Sequence, residues 1–192
     1  EAISAVASRI EIGGGNIEAR NGAWAAIRAY GEFTSQNYGI VNVNVTKDEA
    51  GNITGAGDRK TTITGDFVTN GGMGTKGQIS VGLRGEDSYW HGKYTDNDGY
   101  GVTPGQLGSV NLWIEDGAHW TGYSSGSVNV NINGEGSYWD GYSTNIRSYG
   151  KVFREINIFR IVIAIHSFPL VGIYISGIRC FVAINSTGYD KN

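Results

Sequence analysis

The sequence predicts an all-β chain built as a parallel β-helix, a solenoid of short stacked strands. Three observations lead there. Gly supplies 31 of the 192 residues and charged side chains only 17%, a composition of frequent turns when set against an average of about 7% Gly and 25% charged. Apolar and polar residues alternate in short runs such as Val128-Asn129-Val130-Asn131-Ile132, the period of a strand with one buried face. One strand-turn-aromatic unit recurs along the chain.

The recurrence is most visible in two segments. Residues 79–92 read ISVGLRGEDSYWHG and residues 128–141 read VNVNINGEGSYWDG, an offset of 49. Ile79, Val81 and Leu83 match Val128, Val130 and Ile132. Gly85, Glu86, Ser88, Tyr89, Trp90 and Gly92 match Gly134, Glu135, Ser137, Tyr138, Trp139 and Gly141. Between them, VNLWIEDGAHWTG at 110–122 is a copy one residue shorter. A strand this short cannot bury its face alone, but equivalent strands stacked on one another can. Variable spacing between copies suits coils whose insertions bulge at corners. A propeller or sandwich is the competing architecture. The Asn-Gly pairs at Asn21-Gly22, Asn70-Gly71 and Asn133-Gly134 do not lie between evenly matched strands, as sandwich hairpins would.

Weaker units precede these. Ile40-Val41-Asn42-Val43-Asn44-Val45 reads as one alternating strand, with Thr62–Phe67 and Trp24–Tyr30 as further candidates. Gly13-Gly14-Gly15, Gly71-Gly72 and Gly74 mark turns, since Gly accepts positive φ without steric cost.

The chain changes character near residue 150. Gly falls from 28 in residues 1–150 to 3 in residues 151–192. The first part carries 16 acids and 10 bases, net −6, and the second 2 acids and 5 bases, net +3. Residues 1–150 are therefore read as a β-helical repeat region and 151–192 as an apolar tail. Residues 161–178 hold no Asp, Glu, Lys or Arg over 18 positions. Three readings of the tail stay open: a membrane span near the lower length limit, buried strands, or a non-native continuation. The chain begins with Glu1 and its single Met is Met73, so a processed product or a piece of a longer protein is expected.

Gly-Glu-Asp-Ser-Tyr-Trp-His-Gly at 85–92, Asp-Gly-Ala-His-Trp-Thr-Gly at 116–122 and Ser-Tyr-Trp-Asp-Gly at 137–141 resemble the repeats of bacterial autotransporter passengers. Ile63-Thr64-Gly65-Asp66-Phe67 followed by Asn70-Gly71-Gly72 resembles the rung that precedes such repeats. The resemblance covers about residues 10–145. It implies a right-handed parallel β-helix, displayed at the bacterial surface or outer membrane or secreted, and exported through a C-terminal barrel. It implies an adhesin-like stalk rather than an enzyme, with host or neighbouring-cell glycan or protein as partner. The 42 residues of the tail do not show the many alternating ten-residue strands of a barrel.

Candidate sites follow from the repeat. If Trp90, Trp120 and Trp139 face inward, the residues before them, Tyr89, His119 and Tyr138, form an outward stripe able to stack on sugar rings. The plainer reading is that these aromatics pack turns without a ligand. Asp96, Asp98 and Gly99 fit three positions of a calcium loop, but Tyr94 and Gly105 stand where its carboxylates belong. Gly55–Thr61 lacks the spacing of a phosphate loop and reads as a turn. His91 follows its Trp and His119 precedes its Trp, from which opposite strand faces and no paired metal site are expected. Cys180 is the single thiol, and no Gly-x-Ser-x-Gly elbow accompanies His91, His119 or His166.

Glu86 and Glu135 hold matching places. On adjacent coils they would lie about 5 Å apart, with Glu115 or Asp116 near the same row, a possible carboxylate pair; acidic turns in water are the plainer reading. No catalytic residue, cofactor or metal is assigned. Alternatives to the adhesin are a polysaccharide lyase or hydrolase and a ligand-free spacer. A net charge of −3 gives no nucleic-acid footprint, one Cys excludes an internal disulfide, and 40% apolar residues exclude a disordered polar chain.

Overall fold

The computed structural model describes residues 1–31, 38–69, 77–96, 108–126 and 128–141. The 151–192 tail, with Cys180 and His166, lies outside the described residues, as do Asn70-Gly71-Gly72, Gly74, Asp98, Gly99 and Gly105. Among the described residues every regular element is a strand.

The chain visits three parallel sheets in a fixed order, and each visit to all three is one pass. The first pass is β1 (Ile3–Val6), β2 (Arg9–Ile12) and β3 (Gly15–Glu18). The second is β4 (Ile27–Tyr30), β5 (Gly39–Val43), a hairpin of β6 (Val45–Lys47) and β7 (Ile53–Ala56), then β8 (Thr61–Thr64). The third is β9 (Phe67–Val68), β10 (Gly77–Arg84) and β11 (Tyr89–His91). The fourth is β12 (Tyr94–Thr95), β13 (Ser109–Glu115) and β14 (His119–Thr121). The fifth enters through Ser124, bridged to Tyr94, and continues as β15 (Val128–Asn133) and β16 (Tyr138–Asp140).

The sheets run β1-β4-β9-β12, β2-β5-β10-β13-β15 and β3-β8-β11-β14-β16, and none closes on itself. Among the described residues only β6 and β7 pair antiparallel. Parallel neighbours need a long crossover; here the rest of the pass supplies it.

Register follows the sequence repeat. Ile79 pairs with Val110 and Val110 with Val128, while Val81, Leu112 and Val130 form the next row and Leu83, Ile114 and Ile132 the third. All nine side chains are buried. A one-residue slip would turn each of these rows to solvent, so alternation fixes the pairing. Val41 and Val43 extend two of the rows into β5. Inside the first sheet, Ile27, Phe67 and Tyr94 align. The Tyr94 hydroxyl meets Thr69 Oγ1 at 2.7 Å, and burial raises the phenol above its ordinary range.

The corner after the middle sheet explains the Gly/acid turn. Gly85, Asp116 and Gly134 have φ of 84°, 54° and 87°, the left-handed region that Gly, and more rarely Asp, can occupy. Ser88 and Ser137 then bind the pass below: their hydroxyls accept the N–H of Thr61 at 3.0 Å and of Gly117 at 2.9 Å. The middle copy carries buried Ala118 in that place.

Three expected strands differ in detail. Ile40–Val45 is broken at Asn44, whose φ is 48°. Its amide donates to the carbonyls of Arg59 at 2.7 Å, Gly82 at 3.1 Å and Gly57 at 3.3 Å, and its Oδ1 accepts the Arg59 N–H at 3.2 Å. A buried amide with four partners outweighs continued alternation. Thr62–Phe67 is divided between β8 and β9 by a corner at Gly65, where φ is 123°. Of Trp24–Tyr30 only β4 is strand; Trp24 is 48% exposed, and the Arg28 guanidinium lies over its ring and that of Tyr30. The Gly55–Thr61 segment, expected as a turn, begins as the end of β7.

Candidate functional site

The third sheet carries the aromatic unit on both faces. Trp90, Trp120 and Trp139 align across β11, β14 and β16 and face inward. Their rings stack with centroids 4.6 and 4.5 Å apart and planes within 7°, and Phe67 caps the column 3.9 Å from Trp90. Each indole N–H donates to a glycine carbonyl one pass below: Trp90 to Gly65 at 2.9 Å, Trp120 to Gly92 at 3.0 Å, Trp139 to Gly122 at 3.0 Å. A buried indole needs such an acceptor.

The same contacts explain the Gly two places after each Trp. A Cβ on Gly92 would lie 2.1 Å from the Gly65 carbonyl oxygen, one on Gly122 1.9 Å from that of Gly92, and one on Gly141 1.6 Å from that of Gly122. The Trp-x-Gly spacing is thus one device, a ring column bonded to a column of glycine carbonyls.

The outward face holds the predicted stripe. Tyr89 pairs with His119 and His119 with Tyr138. Their rings lie 5.7 Å and 4.9 Å apart, with planes inclined 26° and 6°. The three predicted residues are therefore brought together, but their ring faces are turned to one another along the row. The faces that meet along the row are those of Tyr89, His119 and Tyr138 themselves.

His91 joins this cluster, contrary to the expectation of opposite faces. Its ring stacks on Tyr89 at 4.4 Å and lies 5.6 Å from His119. The reason is the strand period itself. Residues immediately before and after an inward Trp both point outward, so the position before Trp120 and the position after Trp90 share one surface. Burial first, and the neighbouring His91 second, hold the His119 imidazole below its ordinary value of 6.5.

The acidic row also differs from expectation. Glu86 and Glu135 are not on adjacent passes; the shorter copy lies between them, and a Cβ on its Gly117 would be 2.7 Å from Glu86 Cγ. Glu115 faces Arg84 and Asn133 in register. Its carboxylate bonds the Arg84 guanidinium and accepts the Ala56 N–H at 3.1 Å, and Arg84 Nε lies 3.3 Å from Asp116. The acid nearest a catalytic reading is thus a clasp between the hairpin and two passes. Asp96 of the supposed calcium loop is largely buried, which raises its carboxyl above the ordinary value. Among the described residues no three His, Cys, Asp or Glu are grouped to hold a metal ion.

A polar hollow of about 330 Å³ lies between the middle sheet and the hairpin, with Asn42, Ser80, Asn111 and Trp113 on the sheet side and Lys47 and Asn52 on the hairpin side. Sequence reasoning missed it. Nothing local in the sequence says that the hairpin folds over the outward Asn and Ser positions.

Compared with family models, with curated proteins and with solved structures, the chain matches none.

Proposed function

We propose that about residues 10–145 are a right-handed parallel β-helix from an autotransporter-type passenger, a non-catalytic adhesin-like stalk on a bacterial cell surface or secreted from it. Its partner is glycan or protein on a host or neighbouring cell, and its tie to the outer membrane is a C-terminal barrel outside these residues. The observation that carries this reading is the in-register stacking of sequence-matched copies, Ile79 on Val110 on Val128 and Trp90 on Trp120 on Trp139. Stacked equal units make a rod whose length grows by whole passes and whose outer rows stay aligned. Carboxylates tied into clasps, as Glu115 is to Arg84 and Ala56, favour a scaffold over a hydrolase.

The test uses the full chain coupled to beads and offered to cultured epithelial cells. Saturable attachment, reduced when Tyr89→Ala and Tyr138→Ala are combined, supports adhesion through the outer row. Attachment that the double variant leaves unchanged moves the contact elsewhere on the rod. Absence of attachment leaves a ligand-free spacer, and depolymerisation of an acidic glycan by the purified chain overturns the non-catalytic reading.

A further inference from the structure

We propose that His91 and His119 form a two-imidazole site for a borderline divalent cation of the zinc type. The inference goes beyond the adhesive reading and does not rest on it. The two rings come from neighbouring strands of one sheet and share its outer face, 5.6 Å apart between centroids. With metal–nitrogen bonds of about 2.0–2.1 Å and near-tetrahedral angles, two imidazoles on one zinc ion have centroids roughly 5–6 Å apart. The ring spacing therefore falls in that range, with the two planes inclined 47°.

Two further features fit. Among the described residues neither imidazole takes part in a side-chain hydrogen bond. Stacking restrains both rings: His91 on Tyr89, and His119 between Tyr89 and Tyr138. Stacking uses ring faces, whereas coordination uses the in-plane lone pair, so both hold at once. The neutral imidazole is the form that ligates. With two protein ligands the remaining coordination positions belong to water and stay open to an incoming group.

The test is calorimetric titration of the full chain with zinc ion alone at about pH 7.5, where unperturbed imidazoles are neutral. The expected result is one ion per chain. Either His91→Ala or His119→Ala should weaken binding by roughly tenfold or more, since even outer partners of a ligating imidazole act on that scale. His166→Ala should leave it unchanged. Circular dichroism of each variant checks the fold; His91 is exposed at the end of its strand, so its variant decides the matter if His119→Ala unfolds. No binding, binding indifferent to His91→Ala, or binding lost in His166→Ala would each overturn the site.

Discussion

The later passes and the second pass solve the same packing problem differently. From β10 to β16 like stacks on like: three apolar rows, one indole column and one glycine column repeat with little variation. Around β5 to β8 the repeat is interrupted by the hairpin, and buried polar groups take over. Asn44 gathers three carbonyls and an N–H, and Glu115 reaches back from the fourth pass to clasp Ala56 and Arg84. Repetition makes each unit's contacts predictable from its neighbour. Interruption leaves polar backbone at a corner, and a buried corner must be satisfied by particular side chains.

The largest expected effect lies in the regular region. Trp120 is fully buried between Trp90 and Trp139, so Trp120→Ala should cost about 3–5 kcal/mol. Trp139 ends the described column and is only partly buried, so Trp139→Ala should cost clearly less. Urea unfolding of the two variants measures this. Equal losses would show that the column acts as one cooperative unit rather than as a sum of neighbour contacts.

The irregular region offers a sharper probe. Asn44→Gly keeps the left-handed backbone available but removes every side-chain bond at the corner. We expect a loss of about 1–3 kcal/mol, the cost of leaving buried polar groups unpaired. The same unfolding experiment reads it, and a loss within error of zero would show that backbone conformation alone selects Asn there.

The smallest effect concerns the outer row. His119 has its folded-state value held below 6.5, so the folded chain binds fewer protons than the unfolded one as pH falls past that value. Stability should therefore decline on acidification below about pH 6.5 and level off beneath the lowered folded value. The slope should vanish in His119→Gln. Thermal unfolding from neutral to mildly acidic pH, with metal chelated, would show it; a slope unchanged in the variant assigns the proton to another group.

Much of the regular region was legible in the chain. The match of residues 79–92 to 128–141 put Ile79, Val81 and Leu83 level with Val128, Val130 and Ile132, and the structure seats Val110, Leu112 and Ile114 of β13 between them in the same rows. The inward Trp set and the outward row of Tyr89, His119 and Tyr138 followed from the same phase. The pairing of His91 with His119 was equally available from that phase, but the sequence reading placed them on opposite faces. Less legible was the second pass, where the Val-Asn-Val-Asn pattern continues across a corner that the backbone does not.

By itself the sequence determined an all-β chain, the strands of the repeat and which side chains face inward, since these depend on neighbours one and two positions away. Only the tertiary structure decided the rest. Whether Tyr89, His119 and Tyr138 offer faces or edges depends on rings separated by 30 and 19 residues in the chain. The clasp of Glu115 on Ala56 spans 59 residues and the bond of Asn44 to Gly82 spans 38. Local periodicity has no term for such distances; they are set when passes stack and bring remote corners within hydrogen-bonding reach.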